Sequence, residues 1–173
     1  YEAKSVILAT GAKNRPLGLP NEKKLVGSGV SYCATCDGMF YRGKAVAVNG
    51  GGNTAIEDAT FLANVASKVY VIHRRDEFRA EEAVVAALKK KDNVEFVLNS
   101  NIVEIKEESF AVSGVVVEDK NTHEKRELAV DGLFVAIGQV PDNNAFADVV
   151  ELDKTGYIVA GEDCKTKTEG IFA

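Results

Sequence analysis

A chain of 173 residues, 46% hydrophobic and 27% charged, has the composition of an ordinary globular protein and can bury a core without disulfide staples. Its net charge of −5, with no basic run longer than Lys89-Lys90-Lys91, argues against nucleic acid as a partner, because phosphate neutralisation needs a basic face. The longest apolar run, Ala83–Leu88, falls far short of the roughly 20 residues that span a bilayer, so no membrane partner is expected.

The chain opens at Tyr1 without a methionine and passes at once into Ser5-Val6-Ile7-Leu8-Ala9. It closes on another apolar run, Gly170-Ile171-Phe172-Ala173. Neither end reads as a solvated terminus, and a segment of a longer protein is expected.

In chain order, Ser5–Thr10 is predicted as a buried strand followed by the turn Gly11-Ala12. Lys13–Pro20 holds two of the three prolines, which resist helix interiors and central strands, and is predicted as a linker. A pair of cysteines follows on the glycine-flanked segment Gly29–Gly38. From Lys44 a βαβ pattern begins. Strand Ala45–Val48 runs into Gly50-Gly51-Gly52, and helix Thr54–Ala66 sets Ala55, Ile56, Ala59, Leu62 and Ala63 on one face. Strand Val69–Ile72, helix Glu81–Lys91 and strand Val94–Leu98 continue it, the lysine run suiting the negative end of a helix dipole. This alternation predicts an α/β, Rossmann-like doubly wound domain, with a central, mainly parallel sheet and helices on its faces. Ile102–Lys106, Val112–Glu118 and Glu127–Val130 are short β-rich runs parted by polar turns such as Glu118–Thr122, and predict an antiparallel hairpin or meander attached to the sheet. A last apolar strand, Gly132–Ile137, ends at Gly138. Beyond it, Pro141-Asp142 and the short pieces up to Ala173 read as part of another unit.

Gly50-Gly51-Gly52-Asn53-Thr54-Ala55 has the form G-x-G-x-x-A between a strand and a helix. The first glycine permits a tight turn, the second lets backbone approach a pyrophosphate, and the small third residue lets helix and strand pack closely. The helix N-terminus then offers free N–H groups to phosphates. A glycine turn can also be purely architectural; the strand–turn–helix context is what favours a dinucleotide. Asn49, polar at the strand end, is compatible with edge exposure or with a local hydrogen bond.

The second strand ends at His73, 21 residues after Gly52, where an NAD site usually places an acidic residue for the ribose hydroxyls. The chain reads His73-Arg74-Arg75-Asp76-Glu77-Phe78-Arg79 instead. Guanidinium forks match phosphate oxygens, whereas a carboxylate would repel a 2′-phosphate. NADPH is therefore expected over NADH, and two charged hydrogen bonds, discounted for exposure, predict a preference of about a hundredfold or more. The bland alternative is a solvated basic turn paired with Asp76 and Glu77.

Cys33-Ala34-Thr35-Cys36-Asp37-Gly38 carries the chemistry. Two residues between cysteines allow a small-ring disulfide that opens and closes by exchange, and Asp37 can supply or take the proton that thiolate departure needs. A lone pair of this kind suits a reducing compartment, so the cytoplasm is expected. Three alternatives compete: a zinc site, a thioredoxin-like fold and two inert thiols. The remaining Cys164, His73 and His123 lack finger-like spacing, so no metal is expected. The pair precedes the first βα unit of a nucleotide site and lacks the proline common between thioredoxin cysteines. Cys164 reads as a bystander and His123 as a solvated turn residue.

Together, Cys33-Ala-Thr-Cys-Asp-Gly38, Gly50–Ala55 and His73-Arg-Arg-x-x-x-Arg79 resemble the low-molecular-weight thioredoxin reductases in order and spacing, along almost the whole chain. Ala9-Thr10-Gly11-Ala12 and Phe134-Val135-Ala136-Ile137-Gly138 are further matches, at the crossings between that family's FAD and NADPH domains. The resemblance implies residues 16–138 as an inserted NADPH-binding domain carrying the redox disulfide, with residues 1–15 and 139–173 as remnants of a split FAD domain. The FAD glycine fingerprint and Gly-Asp flavin contact are expected outside the chain, so the segment alone is expected to lack flavin binding and turnover. The implied cofactor-binding residues are Gly50, Gly51, Gly52, Asn53, Thr54, Ala55, His73, Arg74, Arg75, Arg79, Ile137 and Gly138. The implied electron path runs from NADPH through FAD to the Cys33–Cys36 disulfide and on to thioredoxin. By position, Cys36 faces the flavin, Cys33 attacks thioredoxin and Asp37 is the general acid. The family also implies a homodimer and two domain orientations, with hinges near Lys13–Pro20 and Gly138–Pro141. Two alternatives remain: an NADPH-binding module without catalysis, and a related disulfide reductase with another protein acceptor.

Overall fold

A computed structural model describes residues 2–173. In chain order the elements are β1 (Val6–Ile7), β2 (Ala12–Asn14), α1 (Glu22–Leu25), β3 (Val30–Ser31), α2 (Ala34–Asp37), β4 (Ala45–Asn49), α3 (Asn53–Leu62), β5 (Lys68–Ile72) and α4 (Glu82–Leu88). They continue with β6 (Val94–Val97), β7 (Ser100–Glu108), β8 (Ala111–Asp119), β9 (Lys125–Leu128), β10 (Gly132–Val135), β11 (Gln139–Pro141) and β12 (Ile171–Phe172). The chain divides into two compact units, Pro16–Ile137 on one hand and Tyr1–Arg15 with Gly138–Ala173 on the other.

The larger unit is built on a five-stranded sheet of order β3-β10-β4-β5-β6, with every neighbouring pair parallel. Alternate residues of a strand point to opposite faces, and here the faces have different covers. Val46, Val48, Val69, Val71 and Phe134 pack against Ala55, Ile56, Ala59 and Leu62 of α3 and Val85 and Leu88 of α4. Ala47, Ile72, Leu133 and Val135 pack against Ile102, Ile105, Val115, Val117 and Leu128 of the three-stranded antiparallel meander β7-β8-β9. The α/β expectation of a parallel sheet with helices and an attached meander holds, the two longer helices lying on one face and the meander on the other. Fully buried side chains such as Ile56, Leu62 and Phe134 each contribute about 1.5–3 kcal/mol of burial.

Several ends differ from the sequence reading. Helix α3 stops at Leu62, four residues before the expected Ala66, because the N–H groups of Asn64 and Val65 bond only three residues back, to Phe61 and Leu62. Helix α4 stops at Leu88, with the lysine run just past its end. The strand expected to reach Ile137 leaves the ladder after Val135.

In the smaller unit β1 pairs in parallel with β12, and β2 antiparallel with β11. The Thr10 hydroxyl donates to the Asn143 side-chain carbonyl, and the Asn143 amide donates to the Gly156 carbonyl at 3.0 Å. Two expectations fail here. Ser5–Thr10 is not a buried strand: only Val6 and Ile7 are in register, Ile7 is 76% exposed, and the two-stranded ribbon covers neither of its faces. Lys13 and Asn14, expected in a linker, belong to β2.

Candidate redox and nucleotide site

Because the five strands are parallel, their carboxyl ends share one edge of the larger unit's sheet. The segment after β3 carries Cys33, that after β4 the glycine turn, and that after β5 the arginines. Only β10 separates β3 from β4, which sets the cysteine segment and the glycine turn two strand spacings apart, about 10 Å. From β4 the chain winds outward to β5 and β6, and it later enters β10 on the other side of β4. Such a reversal of winding leaves a crevice at the strand ends, where open α/β sheets take their ligands.

Cys33 and Cys36 are joined as a disulfide across one turn of helix, with Cα atoms 5.3 Å apart. Cys33 is half-buried and Cys36 exposed. The Cys33 sulfur caps α2, accepting from the Cys36 N–H at 3.2 Å. Ser31, at the end of β3, organises the turn. Its hydroxyl donates to the Asp37 carboxylate at 2.6 Å and accepts from the Cys33 N–H at 3.1 Å. Asp37 is thereby held at the disulfide by a strand residue. Tyr41 packs edge-on against Phe134, with centroids 5.3 Å apart. Burial, then the nearby carboxylates of Asp37 and Asp131, raise its phenol above the usual range. Beside the disulfide, Met39 and Phe40 are 50% and 74% exposed.

The glycine turn uses each glycine differently. A Cβ on Gly50 would lie 2.3 Å from the Ala136 carbonyl oxygen and 2.7 Å from the Ala55 Cβ, so Gly50 is where strand, helix and the β10 exit meet. A Cβ on Gly51 would collide with the His73 ring. One on Gly52 would meet nothing within 4 Å, and no side chain caps α3 at that point. Bare backbone beside a ten-residue helix start leaves room for a pyrophosphate. Ala55 is fully buried, while Asn53 and Thr54 are exposed.

The basic loop after β5 is fastened to this turn at three points. His73, 6% exposed, lies under Gly51, stacks on Phe78 at 5.2 Å, and donates from Nε2 to the Glu77 carbonyl at 3.1 Å. The Arg79 N–H donates to the Gly51 carbonyl at 2.8 Å. The Asn53 side-chain carbonyl accepts from the Glu81 N–H at 3.1 Å, just ahead of α4. Burial, with Arg74, Arg75 and Arg79 alongside, holds the His73 imidazole below its usual pKa despite the Glu77 bond, and therefore neutral at pH 7. Arg74, Arg75 and Arg79 are exposed. Among the described residues none of them forms an ion pair within 4.0 Å, although Asp76 and Glu77 adjoin. The exposure is that of a solvated turn, but the expected pairing of the arginines with Asp76 and Glu77 is not formed.

The other expected residues scatter. Ile137 is partly buried on the meander side of the larger unit. Gly138 immediately precedes β11 with φ of 97°, its carbonyl accepting from the Arg15 N–H. Asn49 lies in a central strand between Val135 and Ile72, which rules out edge exposure. His123 is exposed and faces Glu118 at 3.3 Å. Cys164 is free and exposed in the smaller unit. Among the described residues no group of three or more His, Cys, Asp and Glu side chains could hold a metal, and no helix is long and apolar enough to cross a membrane. Sequence reasoning missed Ser31, whose only signal was a hydroxyl two residues before the first cysteine. It also missed Lys120, which donates to the Arg74 carbonyl at 3.3 Å.

A disulfide across one helical turn and a glycine turn on one sheet edge define a class, and residues 1–173 match the pyridine nucleotide-disulphide oxidoreductases; the chain belongs to that family. Among curated relatives it is 42% identical over 173 residues to a thioredoxin reductase of Bacillus subtilis, covering 100% of this chain and 55% of that protein. It is 45% identical over 181 residues to a glucosaminate ammonia-lyase of Pseudomonas fluorescens, covering 100% and 56%. The solved thioredoxin reductase of Lactococcus lactis, in its FR conformation, matches with a TM-score of 0.90 at 36% identity, over 97% of this chain and 55% of that one. The chain spans about half the length of these relatives.

Proposed function

We propose that this chain is the NADPH-binding and disulfide-carrying part of a thioredoxin-disulfide reductase. The observation that carries the reading is a single sheet edge bearing both an accessible Cys33–Cys36 disulfide, with Asp37 held beside it, and a glycine turn to which three unpaired arginines are fastened. Similarity over this segment is shared with a protein named for a lyase reaction, so the reductase reading rests on those residues rather than on identity.

In this reading the backbone of Gly50–Ala55 receives the pyrophosphate, and Arg74, Arg75 and Arg79 receive the 2′-phosphate. His73 and Asn53 hold the two loops together. Two electrons and two protons open the disulfide to a dithiol. The Cys33 thiolate then attacks the acceptor's disulfide, and Cys36 displaces the product as its own disulfide re-forms, with Asp37 and Ser31 handling the proton. The exposed Met39 and Phe40 give the disulfide an apolar rim suited to a protein acceptor such as thioredoxin.

FAD, which the family resemblance implies, would supply the carrier between nicotinamide and disulfide. The flavin site belongs, in this proposal, to the full-length protein, a cytoplasmic homodimer, and the chain alone binds NADPH without turnover.

The test is NADPH oxidation by the full-length protein with oxidised thioredoxin as acceptor. Turnover is expected, with loss of thioredoxin reduction in Cys33→Ser and Cys36→Ser. Reduction that persists in either variant overturns the reading. Sustained turnover by this chain given free FAD would remove the claim that it is only the binding part.

A further inference from the structure

The turn that follows β8 reads as a polar connection in the sequence, yet it is folded against the basic loop. The Lys120 N–H donates to the Asn99 carbonyl at 2.7 Å, and the Asn99 N–H donates to the Arg75 carbonyl at 3.3 Å. From the same residue, the Lys120 ammonium donates to the Arg74 carbonyl at 3.3 Å. Asn99 adopts a left-handed conformation, φ 51°, which turns the chain between β6 and β7 at this point. The carboxylate nearest in sequence, Asp119, is engaged by its own turn, accepting from the N–H groups of Asn121 and Thr122 at 2.7 and 3.0 Å. Lys120 is exposed and, among the described residues, is in no ion pair within 4.0 Å.

Arg74, Arg75, Arg79 and Lys120 thus stand on two hydrogen-bonded loops, and among the described residues none of the four is in an ion pair within 4.0 Å. A phosphomonoester, with a charge of roughly −1.5 to −2 at neutral pH, is a group that cations carried on two linked loops can take together. We propose that Lys120 is a fourth cation of the 2′-phosphate subsite, delivered by the β-meander rather than by the βαβ unit. The inference rests on the NADPH reading of Arg74 and Arg75. An ammonium has three donors; one is spent on Arg74, which fixes its position, and two remain for phosphate oxygens. The arginine forks supply planar recognition, and Lys120 supplies a compact point charge beside them.

The experiment is calorimetric binding of NADP+ and of NAD+ to the chain, with wild type, Lys120→Gln, Lys120→Arg and Arg74→Gln/Arg75→Gln. Glutamine keeps a donor for the Arg74 carbonyl but removes the charge. Lys120→Gln is expected to weaken NADP+ roughly fivefold, to leave NAD+ unchanged and to leave the unfolding temperature unmoved, while Lys120→Arg retains the wild-type affinities. If Lys120→Gln weakens both nucleotides equally, or neither, while the double arginine variant still loses its preference for NADP+, Lys120 is a loop brace. The proposal is then overturned and the NADPH reading survives. If wild type binds NADP+ and NAD+ equally, both fall together.

Discussion

The imidazole of His73 occupies the space into which any side chain on Gly51 would project: a Cβ there would lie 2.2 Å from Cε1 and 2.3 Å from Nδ1. His73 cannot swing aside cheaply, since it is sandwiched by Phe78 and bonded to the Glu77 carbonyl. Gly51 is bare because of what lies inside the protein. Gly52, where a Cβ meets nothing within 4 Å, is bare toward the outside.

The two glycines therefore separate stability from binding. Gly51→Ala forces the ring and the basic loop to shift, and an overpacking cost of about 1–3 kcal/mol is expected, seen as a lower unfolding temperature with weakened NADPH binding. Gly52→Ala sits at φ −96° and ψ 178°, backbone open to any residue, so its unfolding temperature should match wild type while NADPH binding weakens tenfold or more by steric exclusion of the pyrophosphate. Equal unfolding temperatures for wild type and Gly51→Ala would contradict the packing account.

Replacing Arg74 and Arg75 together by alanine removes two of the three guanidiniums without touching the clamps at Gly51 and Asn53. About a hundredfold of NADPH affinity should disappear, with NADH little changed. Calorimetry on both cofactors decides it, and an equal loss for both would assign the arginines to something other than the 2′-phosphate.

Thiol chemistry offers an independent check. Cys33 and Cys36 pair with each other, and Cys164 is free and exposed. The reduced chain should titrate three thiols, and the mildly oxidised chain one, reacting without denaturant. Three thiols surviving oxidation would remove the redox couple.

Much of this architecture was legible because it is local. Strand β4 and helix α3 announce themselves through an apolar run, a glycine cluster and small residues at helical spacing, and each signal lies within a few residues of the next. The glycine motif and the arginine loop were legible for the same reason. What stayed hidden depends on partners distant in the chain. Two-residue β3 has no period to detect, yet it seats Ser31 against Asp37. Asn53 and Glu81 lie 28 residues apart, and nothing at Asn53 signals that it caps the approach to α4. Val6 and Ile7 look buried in a sequence, but burial is set by what packs on them, which composition does not contain. Lys120 carried only a weak signal, a cation in a turn between two β-rich runs.

Glu22 was equally hidden, and it leads to a prediction about alkaline pH. Its carboxylate is 2% exposed and accepts from the N–H groups of Leu17 and Gly18 at 2.9 and 2.8 Å and from the Tyr32 hydroxyl at 2.8 Å. The strand leading to Cys33 is thus tied to the segment that enters this unit. Burial first, then the bond to Glu22 and its charge, push the Tyr32 phenol up to about 12. A folded pKa above the ordinary 10 means that the neutral phenol is favoured by folding. That stabilisation is complete below pH 10 and is lost as the pH rises through about 12. Glu22→Gln removes the charge and one acceptor oxygen, so Tyr32 should ionise at lower pH and stability at neutral pH should fall by about 1–3 kcal/mol. Phenolate absorbance of wild type and Glu22→Gln, each referenced to its Tyr32→Phe partner, isolates the one titration. Ionisation of Tyr32 near pH 10, the ordinary phenol value, in the wild type would show that Glu22 does not hold it.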